Sequence, residues 1–222
     1  MSQLDSWRAD LASIREEVTQ LAWSAATHGR LREIVSANPD INVHNQFYGW
    51  LSRSYVDSQL MGIRRQLDRD KRSVSLANLI ASMEGASGLL TREAHLSLYR
   101  ESMERPANRT FDLLAGKGDD VYPAARLRGA LRALEQVRAV HGKYMNKRLA
   151  HLDRGPLEGR LPTYRDLSTA VGKLEKLVIH YHLLFEAEDY RSLVPVVQYD
   201  WEAIFRQAWL PPRLARHSRR DG

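Results

Sequence analysis

The chain has 222 residues, 43% hydrophobic and 27% charged, with a formal net charge of +6, and is long enough to bury a sizeable core. It contains no cysteine, which excludes disulfides and thiolate metal sites. No apolar run approaches the roughly 18 residues of a membrane span, and Met1-Ser2-Gln3-Leu4-Asp5 has neither the basic nor the apolar region of a signal peptide; a cytoplasmic location with no membrane partner is expected.

In chain order, Leu4, Trp7, Leu11, Ile14, Val18, Leu21 and Ala25 keep 3-4 spacing over three heptads, which predicts a long N-terminal helix. Leu31, Ile34 and Val35 extend it until Asn38-Pro39 stops it. So long a stripe packs either within its own domain, the favoured reading, or along a partner's helix. A second helix is predicted over residues 45 to 69, with Phe47, Trp50 and Leu51 near its start and Val56, Leu60, Ile63 and Leu67 on its buried face. Ser73 or Ser75 caps a shorter helix through Leu76, Leu79, Ile80 and Met83, ended by Gly85 and Gly88, and Thr91 caps another through Leu98. Residues 104 to 119, with Pro106, Gly116 and Gly118, read as a loop with one helical turn at most.

Asp119 or Asp120 is then expected to cap a helix that carries Pro123 in its first turns and runs to about Leu152, before Arg154-Gly155-Pro156, Gly159 and Pro162 break it. Thr163 opens the next helix, with Leu167, Val171, Leu174, Leu177 or Val178, Tyr181 and Leu184 on its buried face. Leu193 to Gln198 is β-prone, but a lone strand is unstable, so extended loop is expected. Asp200 caps a last short helix with Trp201, Ile204, Phe205 and Trp209, and Pro211-Pro212 ends the fold. In the tail, Arg213, Arg216, Arg219 and Arg220 face a single Asp; they read first as a solvated terminus and second as an arm that grips nucleic acid.

The helix after Asp120 holds the most informative pattern. Leu127, Ala130, Leu134, Val137, His141, Tyr144, Arg148 and His151 fall on one face at helical spacing. The first four are core residues, whereas the last four need polar partners. Tyr144, Arg148 and His151 can face one pocket, with Asn146 and Asp153 nearby. An imidazole exchanges protons near neutral pH, and a guanidinium holds a phosphate through paired hydrogen bonds. That is a minimal kit for cleaving RNA through its own 2′-hydroxyl without a metal. The plain alternative is that His151 caps the helix C-terminus and Arg148 pairs with a neighbouring carboxylate. A metal site is not expected: His180-x-His182 places two imidazoles on opposite sides of a helix, and no H-E-x-x-H or repeated carboxylate-x-x-His is present.

Two further groups have paired readings. Arg64, Arg65, Arg69, Lys71 and Arg72 form a basic cluster at a helix end, more simply a solvated face than an RNA contact. Phe47, Tyr48, Trp50 and Tyr55 read more simply as core than as a base-stacking platform. Arg126, Arg128 and Arg132 are candidates to line a cleft.

The segment Tyr144-Met145-Asn146-Lys147-Arg148-Leu149-Ala150-His151-Leu152-Asp153 resembles the signature of HEPN domains, particularly the abortive-infection type, in which an Arg and a polar residue precede an Ala-His late in a long helix. The block from Ile63 to Asp68 and on through Ser75 to Ile80 resembles the same relatives, and the likeness covers roughly residues 45 to 185. The resemblance implies an all-α, HEPN-like helical bundle, here with a long N-terminal and a short C-terminal helix. It implies one domain over residues 1–210, with its core at about 45–188 and a basic tail at 211–222. It further implies a phage-defence or toxin–antitoxin protein, a homodimer acting on RNA as a metal-independent ribonuclease without cofactor, with a nucleotidyltransferase-like antitoxin as partner. His151 would be the catalytic acid or base and Asn146 its polar companion, while Tyr144, His141 and Lys147 would contact RNA. One departure stands out: the family's Arg position falls on Tyr144, Met145 or Asn146, none of them Arg, and Met145 occupies the slot directly before Asn146. Arg148, one turn from His151, would be the substitute for holding the phosphate; the resemblance thus implies a nuclease weakened by Met145, a relative that binds RNA without cutting it, or an enzyme that uses Arg148. The alternative reading is a non-catalytic helical interaction module whose long first helix binds a partner.

Overall fold

A computed structural model describes residues 2–145 and 162–209. Seven α-helices follow in order: α1 (Gln3–Ala37), α2 (Gln46–Gln66), α3 (Leu76–Gly85), α4 (Arg92–Leu96), α5 (Glu104–Leu114), α6 (Ala124–Tyr144) and α7 (Tyr164–Glu186). A 3-10 turn at Trp201–Arg206 closes the described chain. The all-α expectation holds; among the described residues the only β-type pairing is one antiparallel bridge between Thr91 and Val121. No described helix is long and apolar enough to cross a membrane.

Helix starts follow local chemistry. Ser2 accepts from the Asp5 amide at 3.2 Å while the Asp5 carboxylate accepts from the Ser2 amide at 2.9 Å, a capping box that satisfies two donors left open by the first turn. Thr163 and Asp166 repeat the device at the start of α7. Asn45, Ser75 and Thr91 cap α2, α3 and α4 through single side-chain acceptors. Of the two serines expected at α3, Ser75 is the cap; the Ser73 hydroxyl donates to Asp68 instead.

The α1 stripe is used within the chain. Trp7, Leu11, Ile14, Val18 and Leu21 are buried, and α1 packs along α7, with α2 and α3 against its remaining flanks. The Trp7 indole N–H donates to Ser82 on α3 at 2.9 Å, which removes the cost of burying that donor. From α2, Leu60, Ile63 and Leu67 enter the same core, and from α7, Leu167, Val171, Leu174, Val178, Tyr181 and Leu184. Gly62 allows the close approach of α2 to α1: a Cβ there would overlap the Leu21 side chain.

The structure corrects four expectations. Residues 104–114 form helix α5 rather than loop, because Pro106 lies in the first turn, where its missing N–H is not needed. Helix α6 begins at Ala124, with Pro123 at its cap position and no side-chain cap. Asp119 and Asp120 are engaged elsewhere: Arg92 donates to the Asp119 carbonyl at 2.6 Å and pairs with the Asp120 carboxylate at 3.4 Å. Asp200 likewise pairs with Arg206 and makes no side-chain cap. Finally, Tyr55 is buried and stacked on His28 at 3.8 Å, but Phe47 and Trp50 are 47% and 63% exposed. They sit near the start of α2, Phe47 against Trp50 and Trp209 of the C-terminal segment, rather than in the core.

Histidines are the main polar load on the interior. His28, His95, His141 and His182 are buried, and burial is in each case the largest influence on the ring, pushing its pKa down. His180 shares a 2.8 Å hydrogen bond with the Tyr122 hydroxyl; burial, and then the nearby Arg126 guanidinium, pushes it down to about 4. All five are neutral in the fold, whereas the unfolded chain takes up protons below the ordinary histidine value of 6.5. Their contribution to stability is therefore complete above pH 6.5 and is lost as pH falls, for His180 down to about 4.

Two predictions come from this packing. The melting temperature should fall steadily between pH 6.5 and about 4, and His180→Gln, whose amide can replace the bond to Tyr122, should flatten that slope by up to about one proton; an unchanged slope in melts across the range would remove His180 from the account. At the α1–α2 contact, Gly62→Val should lower stability by roughly 1–3 kcal/mol through overpacking, more than the gain of roughly 1 kcal/mol at most from removing a helical glycine. A denaturant midpoint that rises instead would mean that Leu21 moves aside freely.

Candidate functional site

The stripe of α6 continues deeper into the protein than its composition suggests. Leu127, Ala130, Leu134 and Val137 are buried, and so is His141, at 1% exposure. Its ring lies beside Asp166 at the start of α7, whose backbone and carboxylate favour the charged form against the larger effect of burial. His141 is thus a core residue on the α6–α7 side rather than one presented to a ligand. Tyr144 is half-buried and packs against the core. Met145, which the resemblance would place in the motif's Arg slot, is 3% exposed and belongs to the core cluster. Asn146, Lys147, Arg148 and His151, together with the expected run of the helix to Leu152 and the basic tail, lie outside the described residues.

One edge of Met145 faces a cleft of about 320 Å³ between α2 and α6. Met61, Arg64, Arg65 and Asp68 line one wall and Arg138, Gly142 and Met145 the other, with Leu67 at the base. The walls follow directly from helix geometry. Positions 61, 64, 65 and 68 share one face at the end of α2, and 138, 142 and 145 share one face at the end of α6. Gly142 removes a side chain that would otherwise stand in the gap. The cleft thus opens at the last described turn of α6, next in sequence to Asn146.

Three guanidiniums and one carboxylate set its electrostatics. Arg138 donates to the Leu67 carbonyl, an acceptor left open where α2 ends, and pairs with Glu135 at 3.2 Å. Arg65 is bound to Glu17 of α1, which also receives the Gln66 amide. The Asp68 carboxylate accepts from the Asp70 amide at 3.0 Å and the Ser73 hydroxyl at 2.7 Å; those bonds, the backbone one foremost, hold it below the usual carboxylate range. Arg64 is half-buried and has no hydrogen-bond or ion-pair partner among the described residues. The rest of the basic cluster turns away: Arg69 reaches Glu135 and the Ala77 carbonyl, and Arg72 grips Asp70.

Arg64 and Arg65 were therefore legible in the sequence only as part of a charge run. Arg138 carried a usable signal, since it precedes Met145 by two helical turns on one face, a stripe adjacent to the apolar one. Arg126, Arg128 and Arg132 do not line this cleft; Arg128 pairs with Glu84 at 3.2 Å and Arg126 lies near His180. The two imidazoles of His180-x-His182 take separate surroundings, the first at Tyr122 and the second against Tyr190 and, at 3.8 Å, Glu188. No group of three or more metal-ligating side chains is found among the described residues.

Neither a curated protein nor a solved structure matches the chain. The HEPN-type family AbiU2 matches residues 5–204, nearly the whole of the described fold from the first turn of α1 to the final 3-10 turn. The match covers both walls of the basic cleft and the segment that follows Met145. On that coverage, the chain belongs to the HEPN-like abortive-infection family AbiU2.

Proposed function

We propose that this protein acts on RNA in phage defence, as a metal-independent endoribonuclease of toxin–antitoxin type working as a homodimer. The observation that supports the reading best is the arginine-lined cleft at the end of α6, directly before the residues that carry the family's motif. A polyanion is the natural occupant of a cleft with more guanidinium than carboxylate charge.

In this reading His151 removes the proton of a ribose 2′-hydroxyl. The 2′-oxygen attacks the adjacent phosphorus, the bond to the 5′-oxygen breaks, and that oxygen leaves with a proton. The product ends are a 2′,3′-cyclic phosphate and a 5′-hydroxyl. Arg148 holds the phosphate and offsets the charge that builds on it, and Asn146 orients the pair. Lys147 and Tyr144 contact the RNA beside the scissile position, whereas the burial of His141 assigns it to the core. A nucleotidyltransferase-like antitoxin is the partner that would restrain such an activity. The competing idea of an interaction module built on α1 loses its main support, because the apolar stripe of α1 is covered by α7, α2 and α3 of its own chain.

The purified protein incubated with mixed RNA in the presence of chelator should leave 2′,3′-cyclic phosphate ends. His151→Ala should reduce the rate by about 10²–10⁴-fold, and Arg148→Ala by about 10²–10³-fold. Cleavage that persists undiminished in His151→Ala would remove that residue from the chemistry, and RNA left intact by the wild type at every concentration would leave a family member that does not cut.

A further inference from the structure

We propose that Arg64, on the last turn of α2, is a phosphate-binding residue for RNA, supplied by a helix distant in sequence from the family's motif. The inference rests on the RNA reading above and names the contact through which the cleft would take its ligand.

The cations of the cleft are not equivalent. Arg138 is committed to the Leu67 carbonyl and Glu135, and Arg65 to Glu17. The Arg138 bond links the two walls, and the Arg65 bond ties α2 to α1. Arg64, on the α2 wall, is half-buried and without a protein partner among the described residues. The nearest candidate in sequence, Asp68, has both carboxylate oxygens occupied by its own loop. A cation at the end of a helix is favoured by the helix dipole, which explains why an arginine is tolerated at this position. It does not explain a half-buried arginine at the wall of a cleft with no acceptor to meet it among the described residues. An anion with several oxygens in one plane meets that requirement, and a phosphodiester does so with two bonds to one guanidinium.

The remaining lining fits a nucleotide better than a bare anion. Met61, Leu67 and Met145 give the cleft an apolar surface against which a sugar or base can lie, and the volume is at the lower end of ligand-sized sites.

The test is fluorescence anisotropy with a short single-stranded 2′-O-methyl RNA, which binds without being cut, over a range of salt concentrations. Arg64→Gln should weaken binding about tenfold and reduce the dependence of log affinity on log salt by about 0.7–1, with an unchanged melting temperature. Arg64→Glu should weaken it further. Arg109→Glu, an equal charge change on the exposed face of α5, should have a much smaller effect. If the wild type binds RNA and the Arg64 and Arg109 variants behave alike, the assignment of Arg64 is overturned while the RNA reading stands. If the wild type binds no RNA even at low salt, both fall. Inorganic phosphate that raises the melting temperature of the wild type but not of Arg64→Gln, with no RNA bound by either, would make the cleft a free-phosphate site and overturn the assignment to RNA.

Discussion

The seam between α1 and α7 is the constraint on which the other elements depend. Each helix contributes an apolar stripe long enough to run most of the length of the domain, and the remaining helices pack on the pair. Fully burying a large apolar side chain contributes roughly 1.5–3 kcal/mol, and Trp7, Leu11, Ile14, Val18, Leu174, Val178 and Tyr181 are all buried here. The ion pairs that decorate the same helices, such as Arg8 with Glu186 and Arg15 with Glu188, are at least partly exposed and contribute at most about 1 kcal/mol each. The seam therefore decides the architecture, and the charges settle where the connecting segments lie on it. Arg8 donates to the Phe185 carbonyl at the end of α7, and Arg15 donates to the Tyr190 hydroxyl just beyond it.

The end of α2 is tied to that frame through buried polar side chains rather than through more hydrophobic area. Gln66 donates to Glu17 of α1 and accepts from the Leu76 amide of α3 at 3.2 Å. Gln59, two turns earlier on the same face, donates to the Leu21 carbonyl at 3.2 Å. A buried amide without partners would be costly, so these bonds fix both the rotation of α2 about its axis and the point at which it stops. That rotation is what turns Arg64 toward α6 and Arg65 toward Glu17. Arg138 completes the arrangement by accepting no role in the core: it reaches across to the open carbonyl of Leu67 and so sets the width of the cleft. A site on the surface is here positioned by hydrogen bonds inside the protein.

Periodicity made most of this fold legible. The stripes of α1, α2, α3 and α7 are spaced correctly in the sequence, and Ser75, Thr91 and Thr163 mark helix starts because each side-chain oxygen accepts from the amide three residues on. Local signals failed where a distant partner competed for the same residue. Asp119 and Asp120 have the chemistry of a cap, but Arg92, whose guanidinium also takes Asp112 and the Asn108 side chain, draws their segment into a different role. The short helix α5 was hidden by Pro106, which reads as a breaker unless its place in the first turn is known. The cleft was illegible for a related reason. Arg64 and Arg138 are separated by three α-helices, and only the packing of α2 against α6 brings them to one gap.

That separation bears on Met145. A guanidinium at position 145 would start from a backbone site whose present side chain is almost wholly withdrawn from water. It would also enter a cleft that already holds Arg64, Arg65 and Arg138. Like charges at that range disfavour one another, and desolvation adds to the cost. An apolar thioether has neither problem and packs against the core from the same position. With positive charge delivered from α2 and from two turns earlier on α6, position 145 serves the core, and a cation placed there would compete with Arg64 for the same space.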